Sequence, residues 1–276
     1  MKFSYSRIVF LGLGSLGFSV IWVINNSFVP VFLQERFSLS PFGIGFFMTL
    51  DNIAAIMILP FIDAWSDRVR TPIGHRMPFI AAGVPAAAIT LYFIPGATVL
   101  PFFVFSTVTL ILSMALWRTP LTALLADSTP SRYRSQANGI SNFMGGIGGI
   151  ATAVGGGALF SVNQSYPFRM ASFLILAAGL LLFIFIREPD SDKSACTEKP
   201  DLMESIKFLF RDPDRNALRV FLSHFFWIIA LSSLEAFFTL YARNHLGYEG
   251  GEGSRILGPV SPDAYSFCPS CRIYRR

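Results

Sequence analysis

Long apolar runs alternate with short charged segments along this chain, and the charges gather between the runs instead of dotting them, which is how loops alternate with membrane spans. Seven runs stand out, over Ile8–Leu33, Pro41–Ile62, Phe79–Ile94, Pro101–Ala126, Asn138–Phe160, Met170–Ile186 and Val220–Tyr241. Each approaches the roughly 20 residues that an α-helix needs to cross a hydrocarbon core, the third and sixth being short. A polar stretch follows the sixth run. Within it, Leu202–Phe210 is amphipathic and predicts a helix lying along the membrane interface, with Ile206, Leu209 and Phe210 sharing one face. The pattern predicts an all-α membrane protein: a six-helix bundle over residues 1–187, a connecting loop over 188–219, a seventh helix over 220–247 and a polar, disordered tail over 248–276.

Composition sharpens this picture. Hydrophobic residues make up 53% of the chain and charged residues 14%, against about 25% charged in a soluble domain. Lys2 and Arg7, then Arg68, Arg70 and Arg76, then Arg132 and Arg134, then the segment from Arg187 to Arg219 fall on one side, and little beyond Arg36, Arg169 and Arg243 falls on the other. This bias predicts a cytoplasmic N-terminus in a plasma (cell inner) membrane. The net charge of +5 is thereby a topology signal and not the footprint of nucleic-acid binding.

Several motif matches carry no chemistry. The first run is too long for the apolar region of a signal peptide and has no small-x-small cleavage site. Gly12-Leu13-Gly14-Ser15-Leu16-Gly17 fits a dinucleotide-binding pattern, but no strand precedes it; glycines that let helices approach closely explain it better. Cys268 and Cys271 lack the second pair that a zinc site needs, so neither metal nor cofactor is expected. Asn163-Gln164-Ser165 is a glycosylation match in a loop too short to use. His224 is a lone histidine without a nucleophile, read as a packing residue at a helix end, and no enzyme constellation is present.

The ionisable residues inside the apolar runs are more informative. Asp51 sits mid-run, Arg118 lies nine residues before the loop carboxylate Asp127, or about 13 Å along a helix, and Glu235 sits within the seventh run. A charge at that depth costs roughly 2.5–3.5 kcal/mol on insertion scales, so it is expected to pair or to bind something. Asp51 and Glu235 are the expected partners of Arg118, whose guanidinium holds two acceptors in a fork. Asn25, Asn26 and Asn52 supply neutral amides suited to a polyhydroxyl ligand, with Trp22, Trp117 and Trp227 available to stack on it.

The segment Pro60-Phe61-Ile62-Asp63-Ala64-Trp65-Ser66-Asp67-Arg68, followed by Gly74-His75-Arg76-Met77-Pro78-Phe79-Ile80, resembles the loop between helices two and three of the major facilitator superfamily. More narrowly, it is similar to the sucrose-transporter-like branch (solute carrier family 45 type), related to the glycoside-pentoside-hexuronide cation symporters. Asp51-Asn52, Arg118-Thr119-Pro120, Asp127 with Arg134-Ser135-Gln136-Ala137-Asn138-Gly139, and Glu235 with Phe238-Thr239-Leu240-Tyr241 fit that branch. Asp63 and His75 depart from it, standing where glycine and arginine are usual. The resemblance implies a proton-coupled (or sodium-coupled) sugar symporter of the two-bundle kind. Asp51, Asn52, Arg118, Glu235, Asn25 and Asn26 would then serve substrate and coupling ion, Asp67, Arg68, Gly74 and Arg76 a conformational latch against the facing bundle, and Asp127 and Arg134 the loop between helices four and five.

The family's eighth helix would begin near Gly247, where apolar character ends instead. The expectation is a truncated or frameshifted product that does not transport alone and self-associates through its seventh helix in the lipid bilayer. The alternative is a non-transporting membrane subunit that docks on another helical bundle.

Overall fold

Each apolar run becomes a helix somewhat longer than the run itself. In the computed structural model, which describes residues 5–69, 71–186, 216–248 and 250–257, these are α1 (Tyr5–Phe37), α2 (Pro41–Arg68), α3 (Met77–Phe93), α4 (Leu100–Asp127), α5 (Arg134–Ala151), α6 (Gly157–Val162), α7 (Tyr166–Phe185), α8 (Asn216–Leu246) and α9 (Gly250–Leu257). One π-helical turn, Thr152–Gly156, joins α5 to α6 into a single span. The ends obey local rules. Ser40 caps α2 by accepting from the Gly43 N–H at 3.2 Å, with Pro41 at the first helical position. Pro30, Pro85 and Pro120 lie inside α1, α3 and α4 without ending them, as neighbouring helices in a membrane bundle allow.

Among the described residues the fold is all-α, apart from an isolated bridge between Thr71 and Gly74. Six helical segments there are long and apolar enough to cross a membrane. The second run also forms a helix of 28 residues, about 42 Å long. The side chains of Asp51, Asn52, Asp63, Asp67 and Arg68 lie outside the described residues, and so does the whole of the predicted interface helix Leu202–Phe210.

Helix α1 is the hub, packing mainly on α5 and α7, while α3 packs on α4 and α7. The α1–α5 contact is close because glycines line it: a Cβ at Gly148 would fall 2.8 Å from the Leu16 carbonyl oxygen. In the glycine-rich start of α1, Gly12 faces Met144 and Gly17 faces Trp117 and Ile175, so that run serves packing. Aromatic rings fill the half of the bundle toward the end of α1. Phe28 stacks on Phe160 at 4.7 Å, and Phe32 meets Phe168 edge-on at 5.2 Å. Arg36 stays there by lying over the Phe32 ring and donating to the carbonyls of Pro95 at 2.7 Å and Ala97 at 3.1 Å.

Two expectations change. Part of the stretch expected as a polar tail is ordered: Gly250–Leu257 is a helix that packs on α6, the π turn and α8, with Gly253, Ser254 and Leu257 buried. Two small residues, Gly253 and Ser254, make much of that contact beside Leu257, and hydropathy does not register them. Residues 258–276, where disorder is expected, lie outside the described residues. His224, expected to pack, is exposed on α8.

Candidate functional site

Four helices line one cavity of about 380 Å³. Helix α1 contributes Ser15, Phe18, Ser19 and Trp22, α4 contributes Arg118, Leu121, Thr122 and Leu125, α5 contributes Asn138, Ser141, Asn142 and Gly145, and α8 contributes Glu235. These positions lie toward the start of α1, the end of α4 and the start of α5, so the cavity occupies that half of the bundle. Hydroxyl and amide groups recur there at helical spacing, Ser15 with Ser19 and Asn138 with Asn142, each pair falling on one face of its helix. Ser15 and Ser141 hydroxyls meet at 2.5 Å between α1 and α5.

Arg118 and Glu235 share this cavity, as the sequence leads one to expect, but not as an ion pair. The Arg118 guanidinium lies over the Phe18 ring at 4.2 Å, and among the described residues no carboxylate approaches it within ion-pair distance. Glu235, 9% exposed, accepts a hydrogen bond from the indole Nε1 of Trp22 at 3.3 Å. The cation lies on α4 against an aromatic face, and the carboxylate lies on α8 and accepts from an indole N–H.

The other expected residues separate. Asn25 is buried outside this cavity, and Asn26 lines a second, much smaller one beside Glu235. Of the three tryptophans expected to stack on a ligand, Trp22 alone lines the large cavity; Trp117 is buried behind it and Trp227 is exposed on the outer face of α8. Asp51 and Asn52 lie on α2 with side chains outside the described residues.

At the end of the bundle nearest this cavity, Thr71 and Gly74 close a tight turn. Thr71 Oγ1 donates to the Gly74 carbonyl at 2.6 Å, and Gly74 adopts φ 120°, which only glycine takes without strain. His75 Nδ1 sits 2.9 Å from the Val69 carbonyl. Arg76 then pairs with Asp127 at 2.7 Å. Arg76 thus meets a carboxylate at the end of α4 in the same bundle, because the turn delivers residue 76 to that corner; the latch against a facing bundle stays an expectation. Arg134 is exposed at the start of α5.

The opposite end carries a polar cluster that sequence inspection does not single out. Glu35 of α1 pairs with Arg243 of α8 and accepts from Gln164 Nε2, while Asn244 Nδ2 donates to Gln34 at 3.4 Å. Helices α1 and α8 therefore run in the same direction, joined at Trp22 and Glu235 and again at Glu35 and Arg243. Below Glu235 they part, and Val220, Phe221, Phe225, Phe226, Ile228 and Ile229 are exposed. Among the described residues no three of His, Cys, Asp and Glu gather to hold a metal ion.

Comparison with known proteins agrees with this architecture. Multidrug resistance protein 1 of Bacillus subtilis (strain 168) is 25% identical over 262 residues, covering 92% of this chain and 62% of that protein. A bacterial homologue of the human lysosomal transporter Spinster, solved inward-facing and unoccupied, superposes with a TM-score of 0.65 at 19% identity, covering 95% of this chain and 59% of that one. The chain thus spans about three fifths of the length of these relatives. The family model described as Major Facilitator Superfamily matches residues 11–264; the chain belongs to this superfamily of membrane transporters.

Proposed function

We propose that this chain forms the substrate-binding bundle of a secondary transporter that moves a glycoside in symport with a cation, proton or sodium, across the cell membrane, with its N-terminus in the cytoplasm. The observation that carries the reading is that Arg118 of α4 and Glu235 of α8 line one cavity together with hydroxyls, amides, two aromatic rings and the apolar side chains of Leu121 and Leu125. Asn138, Asn142, Ser15, Ser19 and Thr122 offer both donors and acceptors, as a polyhydroxyl ligand requires, and Phe18 and Trp22 offer apolar faces for a sugar ring. A ligand hydroxyl that accepts from Arg118 while donating toward Glu235 would draw α1, α4 and α8 together. With α1 and α8 joined at the far end by Glu35 and Arg243, we take access to be from the side of Arg76 and Asp127, the half of the bundle that holds the cavity.

A second reading is favoured by the exposed apolar face of α8 from Val220 to Ile229: a chain that binds ligand but transports only when another bundle covers that face. Uptake of labelled sucrose, maltose and hexoses into proteoliposomes under an inward cation gradient tests both. Saturable uptake abolished by an ionophore supports symport by this chain; absence of uptake with retained sugar binding supports the second reading, and absence of both overturns the glycoside reading.

A further inference from the structure

We propose that the outward-facing seam between α3 and α7 binds one phospholipid with an anionic headgroup, its phosphodiester held by Arg169 and an acyl chain lying along the seam. Arg36, Arg169 and Arg243 lie at the end of the bundle away from the large cavity, on the side where basic residues are sparse. Two of them are spent inside the protein. Arg36 donates to the carbonyls of Pro95 and Ala97, and Arg243 pairs with Glu35. Arg169 is exposed near the start of α7, and its guanidinium lies over the Tyr92 ring at 5.5 Å, with no carboxylate within ion-pair distance among the described residues. A ring face steadies the charge but leaves the guanidinium N–H groups without an oxygen acceptor.

The surroundings of Arg169 fix the kind of acceptor. Phe173, 64% exposed, meets the Tyr92 ring edge-on at 6.2 Å, and the Phe93 ring meets it at 5.6 Å. Exposed aromatic rings at the end of a span mark the level of lipid headgroups, and an arginine at that level reaches phosphate oxygens, which its planar fork matches in pairs. Charge selects the headgroup. A zwitterionic lipid brings an ammonium that needs its own acceptor, and Glu35 at this end is already held by Arg243 and Gln164.

The length of the apolar surface is an independent observation. Phe173, Leu176 and Leu180 follow Arg169 at helical spacing on one exposed face of α7. From Arg169 to Leu180 is about 16 Å along the helix, the depth of one leaflet of a roughly 30 Å core. Beside this stripe α3 presents the smaller Pro85 and Ala82, also exposed. The two helices are fixed to each other underneath: the Ser172 hydroxyl donates to the Ala88 carbonyl at 2.7 Å, and Gly179 abuts Val84. The seam is therefore a rigid surface with a cation at headgroup level and one acyl chain's length of apolar side chains beyond it.

The test puts a bimane fluorophore on Leu176→Cys in the full chain with its native cysteines replaced, reconstituted in bilayers of equal parts phosphatidylglycerol and phosphatidylcholine. In one preparation the first lipid carries brominated chains that quench the probe, in the other the second. The expected result is a preference for phosphatidylglycerol at this position of about fivefold, as one arginine at the surface supplies. Arg169→Gln should bring the two lipids to equality, while Arg169→Lys keeps part of the preference. Both positions are exposed, so the melting temperature should not move. Equal quenching by the two lipids with Arg169 in place, or a preference that survives Arg169→Gln, overturns the proposal. So does a preference that millimolar inorganic phosphate abolishes, because the acceptor is then a free anion and not a lipid.

Discussion

Trp22 and Glu235, 213 residues apart in the chain, are joined by a hydrogen bond of 3.3 Å from the indole nitrogen to the carboxylate, and this bond lies where α1 and α8 begin to part. Trp22→Phe keeps the ring and removes the donor. A hydrogen bond to a charged acceptor contributes about 1.5–3 kcal/mol, so glycoside affinity should fall by roughly tenfold or more with little change in the helical circular dichroism. Equal affinity for the variant, measured by equilibrium dialysis, would mean that the bond does not position Glu235.

Arg118 should resist replacement by lysine. Lysine keeps the charge but loses the planar stack on Phe18, worth about 0.5–2 kcal/mol, as well as the two-pronged donor geometry. Arg118→Lys is expected to weaken sugar binding by about tenfold, and Arg118→Ala to abolish it, both read by displacement of labelled sucrose. A lysine variant with unchanged affinity would reduce the role of Arg118 to its charge.

The cluster of Glu35, Arg243 and Gln164 ties α1 to α8 and to the loop before α7 at the far end of the bundle. Glu35→Gln should loosen it, raising the rate at which a thiol reagent labels a cysteine placed at the buried position Val31 in a background without native cysteines. Loss of one partly exposed ion pair is expected to cost about 1 kcal/mol or less in stability, so the melting temperature should barely move. A large drop in melting temperature with no gain in labelling would mark the pair as a structural clamp and not a gate.

Gly148→Val tests the packing of α5 on α1. Its first side-chain carbon would meet the Leu16 carbonyl oxygen at 2.8 Å, and the backbone cannot retreat without disturbing Gly145, which faces Ser19. Overpacking of this kind costs about 1–3 kcal/mol, so a lower thermal midpoint in detergent is expected, whereas Gly139→Ala, where open space surrounds the glycine, should be neutral.

The helices were legible because apolar runs of span length permit little else in a membrane. Arg118 and Glu235 were legible as well, since a charge within such a run has few explanations. What the sequence did not show is which face of each helix fronts the cavity. Trp117 and Arg118 are adjacent, about 100° apart around α4, and one is buried behind the cavity while the other lines it. Asn25 and Asn26 divide in the same way, depending on neighbours more than a hundred residues away. The i, i+4 pairs Ser15 with Ser19 and Asn138 with Asn142 were the available signal for the missed polar wall, a hydrophilic stripe on otherwise apolar spans. The π turn had no signal, because a glycine-rich run is compatible with either winding, and the short helix Gly250–Leu257 packs in part through Gly253 and Ser254, which hydropathy reads as polar.

The most direct test of cation-coupled glycoside recognition is the mutual effect of the two ligands on the purified chain. Sucrose or maltose binding is measured over a range of cation concentration, and cation binding over a range of sugar concentration. Coupling through the Glu235 carboxylate predicts that each ligand tightens the other by the same factor, as linkage requires, and that Glu235→Gln brings this factor to one. Sugar binding that is indifferent to every cation, or a mutual effect that persists in Glu235→Gln, would contradict the account.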